Sequence, residues 1–306
     1  MTHHTRDSPS FLRGRGFAPP TIQELTGGRL HLSHGPIDVV LKAFGAPDMV
    51  VRAHAAAARR FPEILPELCS ELSILRTRSG AAKSPPQSPV GRRMAEACWP
   101  FRHEFITPMA AVAGSVADEL LSFMVAVGPL DRAYVNDGGD IAVFCAPGET
   151  LEIGIAGSFE GGPIPAGSGT ALVRHGDGVG GIATSGARGR SFSLGIADSV
   201  TVLAASAAGA DAAATMIANA VNCEDGAIER RAAIDLDPDS DLGRQLVTVS
   251  VGPLPIAKVR AALEAGRVRA AGYYKRGLIL DAALTLQGET VTLSEHSVGW
   301  MEKVAS

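Results

Sequence analysis

Residues 181–221, GIATSGARGRSFSLGIADSVTVLAASAAGADAAATMIANAV, constrain this chain more than any other stretch. They open on Thr184-Ser185-Gly186, small residues of the kind that build turns. The β-branched trio Val200-Thr201-Val202 then predicts a strand. From Leu203 to Val221 the residues are mostly small, and Asp211 is the only charge among them. Such a run predicts a helix that a neighbouring backbone or a bound molecule approaches closely, because alanine buries little area of its own. Asp211 and Thr215 are four apart and so share a helix face, one turn from each other. A carboxylate and a hydroxyl stacked in this way are hard oxygen donors, which magnesium prefers. An Asp in so apolar a run is costly to bury unpaired, and a metal or a ligand hydroxyl would resolve that cost.

The rest of the chain predicts alternating hairpins and helices. A hairpin is expected between Leu30 and Val40, turning at Gly35-Pro36. A helix is expected over Ala46–Leu75, starting at Pro47 and interrupted by Pro62 and Pro66. Residues 79–91 (SGAAKSPPQSPVG) read as a linker loop. Thr107 then reads as the N-cap of a helix to Val127, with Pro108 in its first turn and Ala110, Ala113, Gly114 and Ala117 as a small-residue stripe. Two strands, Ala133–Asn136 and Ile141–Cys145, are joined by Asp137-Gly138-Gly139-Asp140, a strong hairpin signal. Short strands follow at Leu151–Ile155, Ala171–Arg174 and Gly181–Thr184, with a glycine-rich loop at residues 159–169 that is either a ligand lid or a plain loop. Residues 235–241 (DLDPDSD) lack the glycine and final glutamate of a calcium loop and read as an acidic turn. A strand at Leu246–Val251, a helix at Ile256–Ala265 closed by Gly266, and a hairpin through Gln287-Gly288 complete the chain. Hairpins outnumber crossovers, so the fold class is α+β, with layered antiparallel sheets and packed helices. A mobile arm is expected over residues 1–20, and over 21–306 a single domain or two intertwined subdomains.

The helix carrying Asp211 and Thr215 behind a strand and a Thr-Ser-Gly turn, the segment PMAAVAGSVADEL at 108–120 and the segment YVNDGGDIAVF at 134–144 together resemble the FAD:protein FMN transferase (ApbE-type) superfamily, and most closely its shorter branch. The resemblance covers roughly residues 100–225. It implies a duplicated, T-fold-like architecture and a magnesium site made by Asp211, Thr215 and a backbone oxygen of Ala110 or Ala111. It also implies a ligand cleft bordered by Asn136, Gly138, Gly139 and Asp140. Thr184, Ser185 and Gly186 would offer hydroxyls and N–H groups to a phosphate or carboxylate there. Arg188 and Arg190 follow as either anion partners or surface charges. The family's cofactors, magnesium with FAD or FMN, are expected on the same ground. The chain departs from the pattern at Thr107, where the family usually carries an acidic residue, and at Ala113, where it carries a Lys or another polar residue. The H-x-x-D-P segment that follows the turn in the family is absent. The metal corner is therefore expected to be kept and the flavin contacts replaced, with weak FAD binding and no FMN transfer. One reading the resemblance implies is an enzyme with magnesium-dependent, transferase-like chemistry on a phosphate-bearing or anionic ligand such as a flavin nucleotide; the alternative is a non-catalytic ligand-binding or accessory protein, and the shorter branch's link with sulfur assimilation fits either.

Net charge is -4 and aromatic content 5%, which argues against nucleic acid as a partner. Four cysteines with no C-x-x-C spacing suggest reduced thiols and a cytoplasmic protein. Arg13, Arg15 and Pro19 break the first apolar residues, so neither a signal peptide nor a membrane span is expected. The expected partner is a small anionic or nucleotide ligand. The alanine faces at 110–117 and 204–214 suggest a homodimer, with a cleft near Thr184–Gly186 shared between chains.

Overall fold

The structure is a computed structural model that describes residues 17–154, 170–189, 191–293 and 300–301. Strand β1 (Thr21–Leu25) leads into the hairpin β2 (Arg29–His34) and β3 (Ile37–Phe44). Gly35 turns that hairpin at a φ of 58°, a backbone region open to glycine. Along β3, Ile37, Val39, Leu41 and Ala43 are all buried, the period-2 signature of a strand with one face on the core.

Helix α1 (Pro47–Ser70) follows, then the single turn α2 (Leu72–Leu75) and α3 (Pro89–Cys98). Pro62 and Pro66 do not interrupt α1, contrary to expectation; both lie inside it. The face that buries Phe61, Ile64, Leu65 and Leu68 outweighs the hydrogen bonds the prolines remove. Residues 79–88 form the expected loop, but 89–91 already belong to α3, which Ser88 caps through Gly91 N at 3.1 Å. The Glu71 carboxylate holds the loop's end through Ser88 Oγ at 2.6 Å and Gln87 N. Pro108–Ala111 is a 3-10 turn, and helix α4 (Val112–Val125) continues from it.

The hairpin β4 (Arg132–Asp137) and β5 (Asp140–Cys145) turns at Gly138 and Gly139, with φ of 67° and 114°. Strands β6 (Thr150–Gly154) and β7 (Thr170–Arg174) pair with each other. The hairpin β8 (Gly181–Ser185) and β9 (Ser199–Ala204) leads into α5 (Ala207–Ala220). A ribbon of β10 (Ile228–Ala232) and β11 (Leu246–Val251) carries the short helix α6 (Ala233–Leu236) in its turn. Helix α7 (Ile256–Lys275) does not stop at Gly266 as expected. A Cβ there would run into Val221 and Leu284, so that glycine serves close packing and not a helix end. The hairpin β12 (Asp281–Leu286) and β13 (Glu289–Thr292) and the short β14 (Trp300–Met301) complete the described chain.

Nine strands form one antiparallel sheet in the order β1-β2-β3-β4-β5-β8-β9-β12-β13. Within it, β2β3–α1–α4–β4β5 and β8β9–α5–α7–β12β13 repeat one pattern. In each, the second strand of the first hairpin pairs with the first strand of the second, β3 with β4 and β9 with β12. This is an α+β fold with a duplicated ββααββ unit. One core lies between α1, α4 and strands β2–β4, another between α5, α7 and strands β9 and β12. A small sheet, β14-β7-β6, contributes Leu151, Ile153, Ala171 and Val173 to a third core with Ile141, Val143, Ile182 and Leu203 of the large sheet. Arg60 of α1, itself buried, binds buried Glu119 of α4 at 2.9 Å and locks those two helices together.

Within the alanine faces that suggested a homodimer, Ala117, Ala207, Ala208, Ala210, Ala212, Ala213 and Ala214 are buried in the chain, whereas Ala110 and Ala113 are half-buried and Ala205 is exposed. Among the described residues, Pro108–Val125 is long and apolar enough to cross a membrane by length and composition. Over half of it is buried against the rest of the fold, as in a core helix. Residues 1–16 of the expected arm, residues 159–169 and Arg190 lie outside the described residues.

Candidate functional site

The site forms where the two repeats meet, at the N-terminal ends of α4 and α5. Small residues allow the approach. A Cβ on Gly114 would overlap the backbone of Ala207, and a Cβ on Gly181 would overlap the same residue from the sheet side. The two helix starts and β8 are therefore in backbone contact, which no larger side chain permits.

Each helix then caps the other. Asp118 of α4 accepts hydrogen bonds from Ala207 N at 3.0 Å and Ala208 N at 2.9 Å, both in the first turn of α5. Asp211 of α5 accepts one from Gly114 N at 3.1 Å, in the first turn of α4. Both carboxylates face the positive end of a helix. Ser206 completes the α5 cap through Gly209 N at 3.1 Å. The expected cap of α4 by Thr107 is not made. The Thr107 hydroxyl donates instead to the carboxylate of Asp241, a charge-assisted bond that outcompetes a neutral cap.

The two Asp residues differ in how fully they are satisfied. Both oxygens of Asp118 are bonded to backbone N–H groups. Asp211 uses only Oδ2 among the described residues. Asp140, at the start of β5, accepts from Thr184 N at 3.2 Å and stands electrostatically beside Asp211. Burial lifts the Asp140 carboxyl from 3.8 to about 7, against the pull of the Thr184 N–H. Burial also pushes the Asp211 carboxyl well above the carboxylate range. The charge of Asp140 adds to that push, the Gly114 N–H opposes it, and Asp137 and Asp118 contribute further. Asp118 is also raised by burial, held back by its two N–H donors and by Arg93. Cys98, fully buried, has its thiol raised by burial first and then by the charges of Asp211 and Asp241. Beside Gly114, Ser115 is fully buried and its hydroxyl has no partner among the described residues.

The sequence-expected residues divide accordingly. Asp140, Thr184 and Asp211 come together, with the Pro108–Ala111 turn packed against α5. Thr215 lies one turn beyond Asp211 on α5 and is half-buried. The Ala110 N–H is held by Thr107 O at 3.1 Å. Thr184 Oγ1 also pairs with Thr201 Oγ1 at 2.9 Å. Asn136 holds the hairpin turn, its Oδ1 accepting from Gly139 N at 2.8 Å. Ser185 ends β8. Gly186 packs against the backbone of Asp198, where a side chain would collide. Arg188 is half exposed and paired with Asp198 at 2.9 Å, so its charge is already answered.

Sequence reading missed Asp118 and Asp241. Asp118 carried a signal: Gly114 and Asp118 are four apart, as are Ala207 and Asp211, on two alanine-rich helices. Asp241 carried none, because its partner Thr107 is 134 residues away.

The donors present are carboxylate, hydroxyl and carbonyl oxygens, a set that suits a hard divalent cation. A cation would also let Asp140 and Asp211 ionise together. Among the described residues, no three His, Cys, Asp or Glu side chains lie close enough to hold a metal by themselves, so hydroxyl and backbone oxygens would have to complete a set.

The "UPF0280 protein" of Methanothrix thermoacetophila is 40% identical over 152 residues, 49% of this chain and 59% of that protein. The chain thus spans somewhat over half the length of that relative. The "UPF0280 protein MK0206" of Methanopyrus kandleri is 31% identical over 202 residues, 65% of this chain and 75% of that protein. Among solved structures, the apbe protein of Thermotoga maritima aligns over 90% of this chain and 96% of its own, at 13% identity and a TM-score of 0.45. The apo flavinyl transferase ApbE of Pseudomonas stutzeri aligns over 90% and 95%, at 13% identity and a TM-score of 0.36, so both are loose likenesses. A family model described as "AbpE bacteria" matches residues 22–292, nearly the whole chain, and the protein accordingly belongs to this ApbE-like family.

Proposed function

We propose that the protein binds a divalent cation, magnesium in the first instance, between α4 and α5, and through it a phosphate-bearing ligand of the flavin-nucleotide class. Asp211 and Thr215 would hold the cation, with the carbonyl of Ala110 as a third oxygen. When bound, the cation would neutralise negative charge on the ligand. The observation that carries this reading is the incomplete pairing of Asp211, whose carboxylate has one N–H donor and stands beside Asp140. The family supports the flavin-nucleotide class, and the charge balance bears on how an anion would be held. Acidic groups surround Asp211, and Arg188, one of the two arginines expected to meet an anion, is occupied by Asp198. An anion would therefore be held through the cation and the N–H groups near Thr184–Gly186. Ala113, beside the helix crossing, has no polar side chain to offer a flavin. The reading extends to binding and not to FMN transfer.

Native mass spectrometry of the purified protein tests it. A magnesium adduct, with or without a nucleotide-sized companion, is expected and should be lost after chelation. A spectrum identical before and after chelation would contradict the proposal.

A further inference from the structure

Thr107 is 2% exposed and anchors the turn that carries Ala110. Its carbonyl accepts from Ala110 N at 3.1 Å and from the Cys98 thiol at 3.3 Å. Its hydroxyl donates to Asp241. Both polar ends of the residue are thus fixed, one by its own turn and α3, the other by a remote segment. That segment is the turn of the β10–β11 ribbon. Ala233 N to Gln245 O at 2.9 Å and Ile234 N to Gly243 O at 2.8 Å close it into a compact loop. The ribbon strands pair only with each other, apart from the large sheet. At its base, Arg230 binds Leu194 O at 2.7 Å and Asn222 Oδ1 at 2.5 Å, and Thr248 binds Gly195 O at 2.7 Å. At its turn, the Asp241 carboxylate reaches back to Thr107. The charges of Asp241 and Asp211 both act on the buried Cys98 thiol, so the ribbon turn shares the electrostatic neighbourhood of the site.

We infer that Asp241 is a positioning residue of the cation site: through the Thr107 hydroxyl it fixes the Pro108–Ala111 turn, and so the direction in which Ala110 presents its carbonyl. The inference rests on the cation-binding reading above. A hydroxyl donating to a carboxylate is stronger than a neutral bond and directional, which suits it to this work. Groups that orient ligands in this way typically change metal affinity by about 10–100-fold when removed.

The test uses the full chain and magnesium alone. In titration calorimetry, Asp241→Ala and Thr107→Val should each weaken magnesium binding by about tenfold. Thr107→Ser, which keeps the hydroxyl, should restore the parent affinity. The double variant should be no weaker than either single one, as expected for two ends of one bond. Without metal, amide hydrogen exchange in Asp241→Ala should accelerate at residues 107–111 and 233–245 together. Parent-like affinity in Asp241→Ala and Thr107→Val, with Asp211→Asn unable to bind, would overturn the inference and leave the cation site standing. A parent chain that binds no magnesium would overturn both readings, a distinguishable result.

Discussion

Asp118 of α4 and Asp211 of α5 face each other across the junction of the two repeats, each capping the helix that carries the other. Asp118 meets two N–H groups and has Arg93 nearby. Asp211 meets one N–H group and has Asp140 nearby. The same device is therefore a fully paired strut on one side and an incompletely paired carboxylate on the other. A carboxylate whose hydrogen bonds are complete has little to gain from a cation, whereas one pressed against a second carboxylate gains a great deal.

The comparison breaks most visibly at the strut. Asp118→Ala strips two N–H groups at the start of α5 of their acceptor, and leaving a buried donor unpaired costs about 1–3 kcal/mol each. A loss of roughly 2–5 kcal/mol is expected in denaturant unfolding, with the isosteric Asp118→Asn losing less. A stability equal to the parent's would show that water or a shifted backbone replaces the cap.

A smaller effect sharpens the other side. Asp140 titrates near 7 in the folded chain against an ordinary value of 3.8, so folding favours its protonated form. Its stabilising contribution is fully present below pH about 4 and is lost as the pH rises through about 7. Metal-free parent should therefore melt progressively lower than Asp140→Asn over that window, by on the order of 2–4 °C for each kcal/mol involved. Magnesium, which favours the ionised form, should close the gap at neutral pH. Parallel melting curves at all pH values would show that Asp140 titrates like a free carboxylate.

Much of this was legible in the sequence because it is local. The hairpins at Gly35, Gly138-Gly139 and Gln287-Gly288 follow from turn chemistry, and the stacking of Asp211 on Thr215 follows from helical spacing. The failures share a cause as well. Pro62, Pro66 and Gly266 are helix breakers by propensity, yet the helices continue through them because tertiary packing outweighs propensity there. Thr107 looked like an N-cap because nothing nearby announces Asp241. The mutual capping of Asp118 and Asp211 was visible only as a repeated four-residue spacing, whose meaning depends on the two helices meeting.

Whether Asp211 is a cation ligand where Asp118 is a strut is decided by titration calorimetry with magnesium on three proteins. The parent should bind, and Asp118→Asn should still bind at reduced stability. Asp211→Asn should not bind at all, while its amide oxygen keeps the Gly114 N–H bond and the fold stays as stable as the parent's metal-free form. Equal binding by Asp211→Asn and parent would contradict the account and make Asp211 a second strut.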